Sequence, residues 1–360
     1  MDKQPHLLVC ISAHGYGHVA QTAPVLNALH ARMPELRITI RSMVPLAHLQ
    51  SRIRAPFNYL RGSGDIGMLM SSAMEVNVKA SSDAYHALHR DWGSTVMREA
   101  DDLRDIAPDF VLSNVGYLPL AGASRAGIPC AAMSSLNWAD IFAHYCSAVS
   151  GAHHITTQIL VAYNQADAFL QLTPGMPMTE LYHRQTIGPV ADIGQRRVDE
   201  INARLNLIER EKLVLVSLGG IAGSLPMEKW PRMPGIHWLV PMDWRSKHPH
   251  ASTLESLDMP FPDILASVDA ILCKPGYGSF VEAVCSGVPV IYASRPDWPE
   301  TKVLAQWLQT HGAGLELSRA ELDTGEFGPA LEKLLAQPRP ACVHPSGVAE
   351  AAEWLEKKLR

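Results

Sequence analysis

Apolar residues follow two alternating rhythms along the chain. Short apolar runs bounded by turn residues predict strands over 6–12, 37–42, 57–60, 109–113, 130–133, 168–171, 213–217, 236–240, 270–273, 290–292 and 314–317. Many are continuously apolar rather than alternating, the pattern of parallel strands covered on both faces. Between them, a 3.6-residue period predicts helices over 19–33, 83–104, 118–126, 154–164, 279–286 and 300–310. In the last, Val303, Leu304, Trp307 and Leu308 share one face. Strands alternating with helices imply an α/β fold with a parallel sheet between helical layers.

The rhythm pauses near Ile187-Gly188-Pro189-Val190. A charged stretch over 194–212 follows, with a short helix at 199–205, and the pattern restarts at Leu213. This places a domain boundary near 190, giving domains over 1–190 and 191–360. At ~100–200 residues per domain, the length suits two. The final helix, 347–359, could cap either half. One segment, 62–82, has no period and carries Gly, Ser, Met68, Met70 and Met74. It reads either as a surface excursion or as a flap over a substrate.

Composition narrows the class. With 47% hydrophobic and 19% charged residues, the chain is globular rather than disordered. The net charge is −5 and basic residues cluster only in pairs such as Arg196-Arg197, which argues against a nucleic-acid partner or a polybasic membrane patch. No apolar run approaches the ~20 residues of a membrane span. The run at 7–11 is too short for a secretory signal. The cysteines at 10, 130, 146, 273, 285 and 342 form no C-x-x-C pair, which suits reduced thiols in a cytoplasmic protein. His153-His154 and His183 lack metal-ligand spacing. No metal and no resident cofactor is expected.

Three glycine turns carry the candidate chemistry. The first strand runs into Ala13-His14-Gly15-Tyr16-Gly17-His18 and then a helix. Glycines at such a turn let backbone N–H groups approach an anion at the helix N-terminus. Gly15-x-Gly17-x-x-Ala20 also fits a dinucleotide fingerprint, and Arg41-Ser42 at the end of the second strand would suit the 2′-phosphate of NADP. His18 either lines the turn or takes a proton from an attacking hydroxyl, since imidazole titrates near neutrality. The second turn is Lys274-Pro275-Gly276-Tyr277-Gly278, leading into Ser279-Phe280-Val281-Glu282. Here Ser279 and Glu282 read as a capping box, or Glu282 reads as a ligand for a ribose diol beside a diphosphate. The third is Ser217-Leu218-Gly219-Gly220.

These stretches, with Ser135-Leu136-Asn137-Trp138-Ala139-Asp140 and Phe261-Pro262-Asp263-Ile264-Leu265, resemble the GT-B glycosyltransferases. Within that group the chain is similar to the N-acetylglucosaminyltransferases of peptidoglycan lipid synthesis. It is more similar to the glycosyltransferase-like N-terminal region of plant L-arabinokinases. The resemblance implies two Rossmann-like doubly wound domains facing a central cleft. It implies metal-independent transfer of a sugar from a nucleotide-diphosphate donor to an acceptor hydroxyl. It puts Gly278 and Ser279 at the donor diphosphate, Gly276 and Tyr277 in the same donor-binding turn, Glu282 at the ribose, Gly219 and Gly220 beside the phosphates, and Phe261 near the nucleobase. His18 falls at the base position, with Asp140 or another acid to orient it. His14, Gly15, Gly17 and Asn137 fall on the acceptor side. Glu300 fills an acidic sugar-binding position, but Thr301 replaces the glutamine that follows it in many relatives. The arabinokinases also carry a sugar-kinase domain, for which the 360 residues leave no room, so that activity is not carried over. A nucleotide-sugar epimerase and a non-catalytic nucleotide-sugar-binding protein remain as alternatives.

Overall fold

A computed structural model describes residues 4–72, 74–207, 211–219 and 225–360. The chain divides into two units. The first comprises Met1–Ser71, Glu75–Val190 and Pro345–Arg360, and the second Ser72–Met74 and Ala191–His344.

The first unit contains β1 (His6–Ile11), β2 (Arg37–Ser42), β3 (Asn58–Arg61), β4 (Met70–Ser72, whose last residue counts with the second unit), β5 (Glu75–Val76), β6 (Phe110–Asn114), β7 (Cys130–Ser134), β8 (Ala168–Leu172) and β9 (Arg184–Ile187). Seven of them form a sheet in the order β3-β2-β1-β6-β7-β8-β9, and its pairs are parallel. β1, β6, β7 and β8 are buried along their whole length, which is why their sequences are apolar without alternation. Strand order reverses direction between β1 and β6. Such a switch point opens a crevice beyond the carboxyl ends of the two strands, the usual ligand position in this kind of sheet.

The second unit contains β10 (Lys212–Ser217), β11 (Ile236–Val240), β12 (Ala251–Thr253), β13 (Ala270–Cys273), β14 (Val290–Ala293) and β15 (Gly314–Leu317). They form a parallel sheet in the order β12-β11-β10-β13-β14-β15. Its switch point lies between β10 and β13. On one side of this sheet, Trp238 of β11 joins Trp230, Phe327 and Leu331 in a single apolar core.

Three expectations change. The stretch 83–104 is two helices, Val78–His89 and Trp92–Ile106, because the Asp91 carboxylate accepts the Ser94 N–H and starts a new helix. The segment 62–82 is partly ordered as the two-stranded sheet β4-β5 and the start of the first of those helices. The terminal helix Gly347–Leu359 packs in the first unit, not the second. A Cβ on Gly347 would lie 2.1 Å from the Gly188 carbonyl oxygen, Trp354 meets Phe110 edge-on, and Arg32 Nε donates to Glu356 Oε2 at 2.7 Å.

Candidate functional site

In the first unit, β1 ends beside β6 with Ile11 opposite Asn114. The chain then turns through Gly15, whose φ of +76° is in the left-handed region that glycine tolerates. Helix Gly17–Arg32 begins there, with Tyr16 as N-cap and no side chain capping it. His18 is the second helical residue, and its side chain is buried over the end of β6.

His18 Nδ1 lies 2.7 Å from Asn114 Oδ1. Asn114 Nδ2 donates to Gln21 Oε1 at 3.0 Å, and Gln21 Nε2 donates to Ser135 Oγ at 2.8 Å. All four residues are buried. The chain of donors leaves Asn114 Oδ1 as an acceptor, so Nδ1 of His18 carries the proton and Nε2 carries the lone pair. An imidazole held in that tautomer can accept a proton at Nε2.

The other residues expected on this side are all at the same end of the sheet. Asn137 caps helix Trp138–Cys146: its Oδ1 accepts the Asp140 N–H at 2.8 Å, and its Nδ2 donates to Asp140 Oδ2 at 2.9 Å. Burial raises the Asp140 carboxyl above its usual range, and the Asn137 bond opposes that shift. The side chain bonded to His18 Nδ1 is Asn114, while the Asp140 carboxylate serves its own helix cap. His14 is half-buried and meets Trp138 edge-on at 5.3 Å. Gly17 has open space where a Cβ would stand, so neither φ nor packing demands glycine there.

In the second unit, Cys273 pairs with Ser217, so the turns after β10 and β13 are neighbours. Gly219 has φ +73°, and a Cβ there would touch Lys274 Cε at 3.4 Å. The Lys274 side chain thus crosses from one strand end to the other. Helix Tyr277–Cys285 starts two residues before Ser279, with an extended Gly276 as N-cap and no side-chain cap. The expected capping box is therefore absent. Ser279 stands at the third helical position and hydrogen-bonds the Cys273 thiol, and Glu282 lies buried further along the helix. The first-turn amides of this helix face a glycine rather than a capping side chain, which is the condition for an outside anion.

Charged groups surround this turn. Burial, and secondly the positive charge of Arg295, lower Lys274 from 10.5 to about 8, against the pull of Glu300. The Arg295 guanidinium stacks 4.5 Å above Trp298, whose Nε1 donates to Glu300 Oε2 at 3.3 Å. Thr301 Oγ1 is buried and has no hydrogen-bond partner among the described residues. The structure therefore gathers Gly219, Lys274, Gly276, Tyr277, Gly278, Ser279 and Glu300 at one end of the sheet. Phe261 opens a separate helix, Phe261–Ser267, which packs on helix Tyr277–Cys285. Gly220 lies outside the described residues.

Three further observations concern the NADP fingerprint, metal ligation and membrane spans. Arg41 is buried in an ion pair with Glu99, so its guanidinium is committed to a carboxylate and not to a 2′-phosphate. Among the described residues, no group of three or more His, Cys, Asp or Glu could hold a metal ion, and no helix is long and apolar enough to cross a membrane.

Sequence reasoning did not single out Asn114 or the Lys274 side chain. Asn114 is the last residue of an apolar strand, with no motif around it. Lys274 preceded a glycine turn that was read for its backbone alone.

No family model matches the chain. The glycotransferase of kitacinnamycin superposes with a TM-score of 0.62 at 16% identity, covering 99% of this chain and 96% of that one. Phytolacca americana UGT2 with UDP-2-fluoroglucose and pterostilbene gives 0.59 at 14% identity, covering 99% and 94%. The fold is that of the GT-B glycosyltransferases. In sequence, the chain is 25% identical to L-arabinokinase of Arabidopsis thaliana over 341 residues. That match takes in 91% of this chain and 32% of the relative, so the chain spans about a third of the relative's length.

Proposed function

We propose that the protein is a glycosyltransferase that moves a sugar from a nucleoside-diphosphate donor to an acceptor hydroxyl, with inversion at the anomeric carbon. The observation that carries this reading is the cradle in the second unit. A lysine laid over the Gly219 turn, beside an uncapped helix N-terminus, offers positive charge and backbone donors to a diphosphate. The fold shared with glycosyltransferases supports it.

In this reading the second unit carries the donor and the first carries the acceptor. His18 Nε2 takes the proton of the acceptor hydroxyl. That oxygen attacks the anomeric carbon on the face opposite the diphosphate. The carbon–oxygen bond to the β-phosphate breaks, and the electron pair leaves on the diphosphate. A single displacement of this kind inverts configuration. Lys274 and the first-turn amides meet the charge as it develops, the term that is usually largest in such catalysis. They supply the neutralisation that a divalent cation would otherwise provide. In this reading Glu300 and Thr301, whose hydroxyl has no hydrogen-bond partner among the described residues, are the groups that meet donor sugar hydroxyls.

The test is a thermal-shift panel of UDP, GDP, dTDP and ADP, their common sugars and NADP, followed by product analysis with and without added acceptors. A ligand at ~100 times its Kd adds about 2.7 kcal/mol of stability. The expected result is a shift with one nucleoside diphosphate, reduced in Lys274→Met, and glycoside formed only with an acceptor. Conversion of the donor alone would replace transfer by epimerisation. A silent panel would overturn the donor assignment.

A further inference from the structure

The segment between β3 and β4, which has no period in the sequence, delivers a carboxylate to His18's neighbourhood. Glycines allow its close seat. A Cβ on Gly116 would lie 2.6 Å from the Gly64 carbonyl oxygen, and one on Gly64 would lie 2.5 Å from the Pro119 ring. Gly67, at φ +63°, packs against His14, with a Cβ position 3.1 Å from that side chain. Between these contacts stands Asp65. Its Oδ2 accepts the Trp138 indole N–H at 2.6 Å, and the Ser12 hydroxyl gives it a second bond. The Trp138 ring in turn lies 5.3 Å from His14 and 5.9 Å from His18, centre to centre. Carboxylate, indole and two imidazoles form one connected cluster.

A purely structural role does not call for a carboxylate here. A neutral amide oxygen would satisfy the indole N–H and the hydroxyl equally well. The carboxylate is costly: burial raises Asp65 from 3.8 to about 6, against the two hydrogen bonds that favour its charged form. A carboxylate offers about four acceptor directions, and Trp138 and Ser12 use two. Ser12 and Trp138 are buried, whereas Asp65 and His14 are both partly exposed. Two acceptor directions therefore remain on a partly exposed carboxylate in the cluster with His14. A flat apolar molecule covering them would strand a charged group without donors, at a substantial penalty. A molecule rich in hydroxyl groups would supply the donors.

We propose that Asp65 binds the acceptor, taking hydrogen bonds from a neutral polyhydroxylated molecule, a sugar or polyol, held beside His18. The choice of acceptor class rests on the glycosyl-transfer reading, whereas the binding site itself does not. The experiment therefore measures binding without a donor. The wild-type protein carries 15N-labelled tryptophan and is titrated with D-glucose, D-galactose, L-arabinose and myo-inositol, with a phenol as the contrasting probe. At least one polyol is expected to shift the Trp138 indole N–H resonance, because that proton is bonded to Asp65. Asp65→Asn keeps an oxygen for the indole and should weaken this polyol about 10-fold to 100-fold, with UDP binding unchanged. Polyol binding that depends on Asp65, in a protein that transfers no sugar, would uphold this site and reject glycosyl transfer. An unmoved Trp138 resonance with every polyol would overturn the proposal, as would equal affinity in wild type and Asp65→Asn. A shift with the phenol alone would also overturn it. The wild-type resonance decides the matter even if the variant does not fold.

Discussion

In the first unit, the turn after β1 leads into helix Gly17–Arg32. In the second, the turn after β13 leads into helix Tyr277–Cys285. Both turns lie where strand order reverses, and both helices start without a side-chain cap. Their surroundings differ. Around the first turn runs a buried chain of neutral groups, from His18 through Asn114 and Gln21 to Ser135. Around the second stand Lys274, Arg295 and Glu300. A neutral chain fixes a tautomer without holding the imidazole permanently charged, which suits a group that must gain and lose a proton. A cationic cradle suits a ligand that arrives as an anion. The backbone gives both turns an uncapped helix start, and in the proposed reading the side chains assign them different work.

The comparison breaks most decisively at His18. If the first turn exists for proton transfer, His18→Ala should lower kcat about 100-fold to 10,000-fold, with nucleoside-diphosphate affinity within error of wild type. Steady-state kinetics with calorimetric donor titration checks this. Near-normal turnover would leave both turns as binding sites only. A smaller effect is expected one bond away. Asn114→Leu leaves the imidazole in place but removes the acceptor at Nδ1, so the tautomer is no longer fixed. Turnover should fall about 10-fold to 100-fold, and Asn114→Asp, which restores an acceptor oxygen, should recover most of it. Equal loss in both variants, with lowered Tm, would mean that Asn114 serves packing alone.

How far each side was legible follows from the same contrast. The buried strands are apolar along their length, so the alternation of strand and helix is read directly. Edge strand β9 carries Arg184, Gln185 and Thr186, all exposed, and nothing in its pattern marks it. The glycine turns were visible because each is local. The contacts that separate their chemistry are not. Asn114 meets His18 from 96 residues away, and Asp65 meets Trp138 from 73. Such pairs exist only once the sheet order is known. The capping box at Ser279 and Glu282 failed for a local reason: an extended Gly276 lets the helix begin earlier, moving Ser279 from the cap to the third position. Arg41 looked available for a phosphate until Glu99 from a helix claimed it.

The smallest effect sharpens the comparison most, because it concerns charge alone. Lys274 titrates near 8 in the folded protein, below its ordinary 10.5. Between those values the unfolded chain holds a proton that the folded chain has lost, so this lysine makes stability rise with pH across that window. A bound diphosphate acts the other way, since it favours the charged ammonium. Donor binding should therefore take up a proton above pH 8 and weaken as pH rises through that value. Calorimetry at pH 8.5 in buffers of different ionisation enthalpy measures the uptake. Lys274→Met should abolish it and raise the donor Kd about 10-fold. The first turn offers a control, since removing the His18 imidazole should leave both donor affinity and this proton uptake unchanged. Uptake that persists in Lys274→Met would move the titrating group elsewhere, and the second turn would then differ from the first in its backbone amides rather than in its lysine.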